Sequence, residues 1–578
     1  MNKDYSQLDK EDLIKVIEKL ESRKKYGLIW DEEKVKEQFE KDAINALPVL
    51  KEVKGKEIID KKGGPINILI EGDNYHTLSV LNFTHQGKID AIYADPPYNT
   101  GAKNWVYNNN YVDGNDAFRH SKWLSFMKKR LILAKSLLKE EGIIVVTIDD
   151  YEIATLTLLM NEIFGEENHL GTVIIKNNPQ GRSSVSGFQV SHEYALFYGR
   201  TQKAKIGRLP RTQEQIDRYK ELDSKGPFEW RNFRAQYSTE SPKMKYPIFV
   251  KKDCSSFRLP KMTWNEEKQS FDLLEKTDSS ELISLPIDPS GRERTWKWSI
   301  ETVKSVKDTE MGVRIDRDKN PAVYYKGRMQ DEWMLPYTIW DKSDYSSSAM
   351  GANLLTSLLG SKKFDYPKSL YAVRDTILVM SENKNATILD FFAGSGTTGH
   401  AVLKLNKEDG GNRSFILCTN NENNICDEVC YPRVKKVIAG YKDAKKSDVE
   451  GLGGSLKYFK TKFVKNASNK DDFKIRITKE CTEMLCLREG IFDEIKKTDD
   501  YRIFQQGGNT LVVYYSLDRK ALADLKKELN KIEGEKVFYC FTLNPLGLDK
   551  SDFSDWNNVS LEPIPQKILD VYKQIYEY

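Results

Sequence analysis

The sequence predicts an α/β fold built on a Rossmann-like parallel sheet, and two observations support this prediction. From about residue 66, short apolar runs that end in acidic residues, Gly or Pro alternate with helical stretches, as in INILIEGDN, KIDAIYADPPYNTG and GIIVVTIDDYE. This alternation stops near residue 200 and resumes near residue 366, where it includes ATILDFFAGSGTTGHAVLKL and RSFILCTNNE. We therefore expect one sheet to be built from two separated segments.

The length of 578 residues requires more than one hydrophobic core. We expect a helical N-terminal segment at 1–62, and an α/β domain whose two parts occupy 63–200 and 351–450. Residues 201–350 have no repeating strand–helix unit and are expected to form an inserted domain. After the glycine-rich EGLGGS, residues 455–578 are expected to form a small α+β accessory or dimerisation domain.

Composition and charge limit the class of protein. Lys and Arg number 90 and Asp and Glu 86, a net charge of +4, so any surface for nucleic acid must be local. No apolar run approaches the roughly 20 residues of a membrane helix, and the charged first residues contain no signal-peptide core. Seven cysteines form no C-x-x-C pair and lack histidines at zinc-ligand spacing. We expect reduced thiols, no metal and a cytoplasmic protein.

The motif Asp95-Pro96-Pro97-Tyr98 follows the apolar run at 89–94. It should lie just beyond the carboxyl end of a strand, where open α/β sheets bind ligands. Two prolines stiffen the loop, and a carboxylate beside a carbonyl forms an acceptor pair for the two N–H bonds of an exocyclic amino group. The tyrosine offers a ring on which a base could stack. An ordinary turn is the alternative interpretation.

A glycine-rich loop, DFFAGSGTT at 390–398, follows the strand-like ATIL. Glycines at a strand-to-helix turn allow a bulky ligand to lie against the backbone. No Lys follows the second glycine, as a P-loop requires, and Gly399 is out of phase with a dinucleotide fingerprint. Hydrolysis of a nucleoside triphosphate is therefore disfavoured. A cofactor loop and a tight structural turn both remain open for this motif alone.

The two loops together are more specific than either one. The combination of F-x-G-x-G and D-P-P-Y resembles S-adenosylmethionine-dependent methyltransferases that act on exocyclic amino groups of DNA bases. Because D-P-P-Y comes first, the order resembles the β class of these enzymes. The segments EGDN at 71–74, WLSFM at 123–127 and SHEY at 191–194 extend the resemblance to modification subunits of type III restriction–modification systems, over about residues 25 to 460.

This resemblance implies a methyltransferase sheet with circularly permuted motif order and S-adenosylmethionine as the cofactor. The substrate would be double-stranded DNA, with transfer to the N6 of an adenine rotated out of the duplex. Asp95 and the carbonyl of Pro96, in the loop that Pro97 stiffens, would hold the target amino group, and Tyr98 would stack on the base. The type III resemblance also suggests a homodimer and a restriction subunit with helicase and nuclease activities.

The resemblance also implies a set of cofactor residues. Glu422 is the candidate for the ribose hydroxyls, followed by Asn421, although the family often places a carboxylate directly after this strand. Tyr366-Pro367-Lys368 loosely matches the family's segment near the methionine moiety. The cofactor-binding residues expected from the motifs are Asp73, Asp390, Phe392, Gly394, Gly396, Thr397 and Glu422.

The inserted domain is the expected target-recognition domain, because basic residues alternate there with aromatic ones. A solvated basic face over a local aromatic core is the alternative. A second basic stretch, Arg119 to Arg130, contacts phosphate or forms a solvated helix face. We expect Asp149 and Asp150 to cap a helix and His192 to be packed. The residues expected to contact DNA are Arg231, Arg234, Lys243, Arg292, Arg294 and Lys297, and Lys245 and Arg328 belong to the same mixture.

The motifs allow one alternative target and disfavour several other functions. The N4 of cytosine is the alternative target, because D-P-P-Y serves either base. A DNA-binding specificity subunit without catalysis is disfavoured by the intact motifs, and RNA or a protein amide by the size of the insertion. A C5-cytosine enzyme would need a nucleophilic thiolate after a proline, and none of the seven cysteines follows one.

Overall fold

Most of the chain from residue 46 onward is described by the computed structural model. The described ranges are 46–60, 64–100, 118–181, 187–235, 241–467, 469–544 and 558–576, with the backbone alone at 102–107 and 110–113 and a few isolated positions elsewhere. The chain divides into two compact units, one made of residues 1–208 and 335–578 and the other of residues 209–334.

Ten strands of the described residues form one large sheet in the first unit. In chain order they are β1 Ala46–Glu52, β2 Ile66–Glu71, β3 Ile89–Ala94, β4 Leu138–Ile148, β5 His169–Ile175, β6 Glu193–Gly199, β7 Ile339–Trp340, β8 Thr387–Asp390, β9 Ser414–Thr419 and β10 Ser455–Lys465. Their order across the sheet is β1-β10-β2-β9-β8-β3-β4-β6-β5-β7. The strands from β10 to β4 are parallel to one another, whereas β1 and β6 run antiparallel to their neighbours.

The sheet joins the two separated segments of the chain, as the sequence predicted. Ile388 of β8 pairs with Ala91 of β3, and Leu389 pairs with Ile92. Both strands are nearly continuous apolar runs, and their central residues are fully buried, as expected for parallel strands that are covered on both faces. The loops that follow β3 and β8 therefore leave the same edge of the sheet side by side.

Helices connect and cover these strands. The first segment of the chain contributes α1 Asn74–Thr84, α2 Arg119–Leu137 and α3 Ile153–Phe164, and α1 packs against α2. The second contributes α4 Leu354–Leu359, α5 Leu370–Met380, α6 Thr397–Asp409 and α7 Tyr431–Ala439, with α5 packed against α6. Among the described residues, no helix combines the length and apolar character needed to cross a membrane.

The structure corrects two of the expected segment boundaries. Ala46–Glu52, within the expected helical segment 1–62, is strand β1, and most residues before it lie outside the described ranges. Ser455–Lys465, assigned to the accessory domain at 455–578, is strand β10 of the large sheet, where Ile66 pairs with Ser455. Such a pairing joins residues nearly 400 positions apart, and local sequence patterns do not report it.

The rest of the C-terminal segment contains a five-stranded sheet. Its strands are, in spatial order, Glu494–Lys497, Tyr501–Gln506, Asn509–Tyr514, Lys536–Phe541 and Val559–Ile564. The helices of this segment are Lys470–Glu480, Thr482–Glu489, Leu522–Leu529 and Gln566–Tyr576. Helix Thr482–Glu489 packs against α1 and β1, so this segment shares a hydrophobic core with the large sheet.

The second unit, Leu209–Met334, is narrower than the expected insertion at 201–350. A four-stranded sheet has the spatial order Glu221–Asp223, Gly226–Asn232, Pro321–Arg328 and Met311–Ile315, and a three-stranded sheet consists of Phe257–Arg258, Ile248–Lys251 and Glu281–Ser284. The hairpin of Met262–Asn265 with Ser270–Leu273, the antiparallel pair of Leu209–Pro210 with Trp333–Met334, and helices Gln213–Ile216 and Ile300–Glu310 complete it. Phe233, Tyr246 and Trp296 form its aromatic core.

Candidate active site

The loops after β3 and β8 meet in one cleft at the carboxyl edge of the sheet. The cleft lies where open α/β sheets bind ligands. Residues of the D-P-P-Y loop, the glycine-rich loop and the segment before α5 line it together. The lining residues are Tyr93, Asp95, Phe364, Tyr366, Pro367, Lys368, Asp390, Phe392, Ala393, Gly394, Ser395, Thr397 and Thr398.

Hydrogen bonds from neighbouring elements fix the D-P-P-Y loop. Thr147, on the adjacent strand β4, donates its hydroxyl to Oδ1 of Asp95 at 2.7 Å. The indole of Trp123 on α2 donates to the carbonyl of Pro97 at 2.7 Å. Asn99 has a φ of 53° and is fully buried, and its amide donates to Oε1 of the buried Glu152 at 2.5 Å. Hydrogen bonds from three different parts of the chain therefore support the D-P-P-Y loop and the following Asn99.

Tyr98 belongs to a buried polar cluster that the sequence did not predict. Its hydroxyl donates to Oε2 of Glu193, at the start of β6, over 3.0 Å. The ammonium of Lys368 lies 2.7 Å from the same Glu193 oxygen and 2.9 Å from Oδ1 of Asp95, and it also contacts the Tyr98 hydroxyl. Burial, and next the charges of Asp95 and Glu193, raise the pKa of Tyr98 well above its usual value, so the phenol stays protonated.

The glycine-rich loop is shaped by Asp390 and by two left-handed glycines. Oδ1 of Asp390 accepts from the backbone N–H of Phe392 at 2.9 Å, and Oδ2 accepts from the hydroxyl of Thr398 at 2.6 Å. Burial raises the pKa of this carboxyl to about 7. Gly394 and Gly396 have φ of 47° and 76°, a region that other residues rarely adopt. Gly394 lines the cleft, so a ligand there would meet backbone at this position.

A fully buried arginine on α7 hydrogen-bonds to the glycine-rich loop. Nη1 of Arg433, on α7, donates to the hydroxyl of Thr397 at 2.7 Å and to that of Ser395 at 3.2 Å. Thr397 lines the cleft, but its hydroxyl is already engaged by this arginine. Gly396 also approaches α7 closely, since a Cβ built there would lie 3.0 Å from Sγ of Cys430.

Three of the expected cofactor residues, Asp73, Gly396 and Glu422, lie apart from the lining of this cleft. Asp73 is the N-cap of α1 and accepts from the backbone N–H of Tyr75 at 2.8 Å. Glu422 is exposed, and its Oε2 accepts from the amide of Asn420 at 3.4 Å. Asn421 is engaged with Asp427 through both its side-chain oxygen and its amide. Asp73, Asn421 and Glu422 follow β2 and β9, which are adjacent parallel strands, so they share the edge of the sheet with the cleft.

The second unit contains the residues expected to contact DNA, and several of them form ion pairs within it. Arg231 pairs with Glu229 at 2.6 Å, Arg294 with Asp288 at 2.9 Å, Lys245 with Glu293 at 2.7 Å, and Arg328 with Asp223 at 2.8 Å and Glu310 at 2.7 Å. Lys243 lies 3.7 Å from Glu266, and Arg234 donates to Asn232 and to the carbonyl of Ile287. Arg292 and Lys297 are exposed. The role of this set in DNA binding stays a prediction.

The structure also corrects the expectations for Arg130 in the second basic stretch and for the Asp pair. Arg130 is buried, so it is neither a solvated residue nor a phosphate contact, and its Nε donates to Oδ1 of Asn74 at 2.6 Å. Asp149 accepts from the backbone N–H of Tyr151 in a turn, and α3 begins after Glu152 without a side-chain cap. The ring of His192 packs edge-on against Tyr194 with centroids 4.9 Å apart.

Sequence reasoning missed Glu193, Thr147 and Arg433, and it placed Lys368 only on the cofactor side. Glu193 had a usable signal, since it is a carboxylate at the start of an otherwise apolar strand within SHEY. A charged residue at such a position is buried only when it is paired. Thr147 and Arg433 carry no comparable signal, because a strand threonine and a helical arginine are ordinary residues.

The chain is similar in sequence to known DNA methylases. Residues 89–429 match the N6_N4_Mtase family model, described as DNA methylase. The chain is 35% identical over 376 residues to the type II methyltransferase M.KpnI of Klebsiella pneumoniae, covering 64% of this chain and 84% of that protein. It is 30% identical over 393 residues to the EcoPI Mod subunit of Escherichia phage P1 and 30% over 446 residues to the StyLTI Mod subunit of Salmonella typhimurium. These matches cover 62% and 71% of this chain but only 58% and 62% of the two type III subunits.

Solved structures of DNA methylases also match, with low scores. The DNA modification methylase TTHA0409 of Thermus thermophilus, complexed with S-adenosyl-L-methionine, has a TM-score of 0.30 and 13% identity over 68% of this chain and 99% of its own. The cytosine-N4-specific PvuII DNA methyltransferase has a TM-score of 0.30 and 12% identity over 62% of this chain and 83% of its own.

The family match extends over more than half of the chain and includes both motif loops. It confirms the expected family and enzyme class, with S-adenosylmethionine as the cofactor of that class. The chain therefore belongs to the N6_N4_Mtase family of DNA methylases.

Proposed function

We propose that this protein transfers a methyl group from S-adenosylmethionine to the N6 amino group of an adenine at a specific site in duplex DNA. The observation that supports this most directly is the single cleft that Asp95 and the glycine-rich loop line together. Adenine is favoured over cytosine because the relatives include type III Mod subunits, and the type III family that the sequence resembles modifies adenine.

The cleft fits the cofactor at the glycine-rich loop. Gly394 presents backbone without a side chain to the cleft, and Phe392 lines the wall next to Phe126, at 5.9 Å between ring centroids. We assign the methionine side of the cofactor to these residues and the adenosine side to the edge beyond β2 and β9, where Asp73 and Glu422 lie. The bound cofactor supplies a methyl group whose C–S bond breaks with its electron pair remaining on sulfur as the nitrogen–carbon bond forms.

Asp95 and the carbonyl of Pro96 form the acceptor pair for the target amino group. Two accepted hydrogen bonds direct the lone pair of the nitrogen toward the methyl group, and the proton that the methylated nitrogen must lose leaves toward the Asp95 carboxylate and then solvent. Thr147 fixes one oxygen of Asp95, so the carboxylate needs little reorganisation. Orientation of this kind can lower a barrier by about 7–11 kcal/mol. Tyr98 stacks on the base, which must leave the duplex to reach the cleft.

Recognition and assembly complete the proposal. The unit at 209–334 reads the target sequence, with exposed Arg292 and Lys297 as its first candidates for phosphate contacts. The protein works as a homodimer in the cytoplasm, either with a restriction subunit, as the names of its Mod relatives suggest, or as a solitary modifying enzyme, as M.KpnI suggests.

Sequencing that detects modified bases tests this function. DNA from cells expressing the wild-type protein should carry methyladenine at one short motif, and DNA from cells expressing Asp95→Ala should carry none. Asp448→Ala is the matched control, because Asp448 is an exposed carboxylate in the hairpin Gly440–Lys442 and Asp448–Glu450. Methylcytosine would assign the enzyme to the alternative base, and unchanged methylation with Asp95→Ala would overturn the proposal.

A further inference from the structure

Lys368 is a buried cation directly beside the proposed catalytic loop. Its side chain is 13% exposed, and its ammonium contacts Asp95 at 2.9 Å, Glu193 at 2.7 Å and the hydroxyl of Tyr98. These three acceptors match the three N–H donors of an ammonium group. Burial lowers the pKa of Lys368, but the charges of Asp95 and Glu193 outweigh burial and raise it, so the side chain is an ammonium at neutral pH.

Glu193 is the second carboxylate that pairs with Lys368. Its side chain is 4% exposed, and Oε2 accepts from both Lys368 and Tyr98. Burying a carboxylate costs free energy unless a cation compensates its charge. Lys368 lies within ion-pair distance of Glu193 and supplies this cation. Lys368 therefore pairs with two neighbouring carboxylates, Asp95 and Glu193, that would otherwise repel each other.

We propose that Lys368 is a positioning residue for methyl transfer, which holds the Asp95 carboxylate aimed at the target amino group, and that Glu193 anchors Lys368 in place. This inference rests on the proposed function. It assigns to Lys368 a role at the target-base side of the cleft, in addition to its place in the wall that the glycine-rich loop faces.

The charges around Asp95 give this role a pH signature. Besides Lys368 and Glu193, Asp390 faces Asp95 across the cleft, and the phenols of Tyr93 and Tyr98 lie close by. Burial raises the pKa of both tyrosines well above the usual value, so they stay neutral. Without Lys368, the charged groups that remain among these described neighbours are carboxylates. Losing the cation 2.9 Å from Asp95 should then make catalysis fail at a higher pH as the pH falls.

Variants of Glu193 and Lys368 should shift the acidic limb of the kcat–pH profile in opposite directions. Neutralising Glu193 removes a negative charge beside Asp95, so Glu193→Gln should move the acidic limb of the kcat–pH profile to lower pH. Lys368→Met should move it to higher pH, and the double variant should return it toward the wild-type position. A lysine that only supported the fold would lower kcat at all pH values and would show no opposite shifts.

The experiment measures kcat from pH 5 to 9 with the full-length protein, labelled S-adenosylmethionine and DNA that contains the recognised site. We expect Lys368→Met to lower kcat about tenfold or more at neutral pH and to move the acidic limb to higher pH, with a smaller loss of cofactor affinity in calorimetry. Lys362→Met is the matched control, because Lys362 forms an exposed ion pair with Asp365 in the same segment before α5 and should behave as wild type.

The outcomes separate this inference from the proposed function. If Asp95→Ala abolishes methylation while Lys368→Met keeps the wild-type kcat and acidic limb, the role of Lys368 is wrong and the proposed function stands. If Asp95→Ala still methylates DNA, both fail. Should Lys368→Met unfold, the nearly isosteric Glu193→Gln decides alone, because an acidic limb that stays in place or moves to higher pH would overturn the inference.

Discussion

Gly396 offers the sharpest test of how the glycine-rich loop holds its shape. It is the N-cap of α6, with φ of 76° and ψ of 28°, and a Cβ there would lie 3.0 Å from Sγ of the buried Cys430. A left-handed conformation costs a non-glycine residue about 1–2 kcal/mol, and overpacking a core contact costs about 1–3 kcal/mol more. We therefore expect Gly396→Ala to lower the free energy of unfolding by about 2–5 kcal/mol.

Gly360 provides a matched control for this prediction. It ends α4 with φ of 86°, and no atom lies within 4 Å of a Cβ built there. Gly360→Ala should therefore lose only the conformational part, about 1–2 kcal/mol, when both variants are unfolded in urea. If the glycine-rich loop shifts to accommodate Gly396→Ala while the core stays in place, the cost appears in ligand binding. Each 1.4 kcal/mol of distortion then weakens cofactor binding about tenfold. The reasoning is refuted if Gly396→Ala matches Gly360→Ala in stability and keeps the wild-type affinity for S-adenosylmethionine.

Two further predictions follow from the charges. Burial raises the pKa of Asp390 to about 7, so the folded protein binds a proton that the unfolded chain has released, and the free energy of unfolding should fall by about 1.4 kcal/mol per pH unit between pH 5 and 7. Asp390→Asn should remove this pH dependence of the free energy of unfolding. The prediction is wrong if urea unfolding shows the same change of free energy with pH in both proteins. Lys297→Ala should reduce the salt dependence of DNA binding by about one unit of slope, whereas Arg328→Ala, which breaks the pairs with Asp223 and Glu310, should lower the melting temperature and leave that slope unchanged.

Particular residues show how far sequence patterns could predict the site. Asp95, Asp390 and Gly394 follow apolar runs that end in loop-forming residues, so their position at strand ends was predictable and the shared cleft confirms that they meet. Asp73 had a local role that competes with cofactor binding, because a residue before a helix also serves as its N-cap. The basic residues of the inserted unit could not be sorted from sequence, since the carboxylates that pair with them lie up to about 100 positions away.

The sequence by itself determined the alternation of strands and helices, the stiff D-P-P-Y loop and the glycines at φ values that only glycine adopts readily, because these depend on neighbouring residues. Only the tertiary structure decided that β10 lies between β1 and β2, and that Lys368 joins Asp95 to Glu193. Strand pairing and buried ion pairs are formed between residues that are distant in the chain. Their free energy depends on burial and geometry that exist only after the chain has folded.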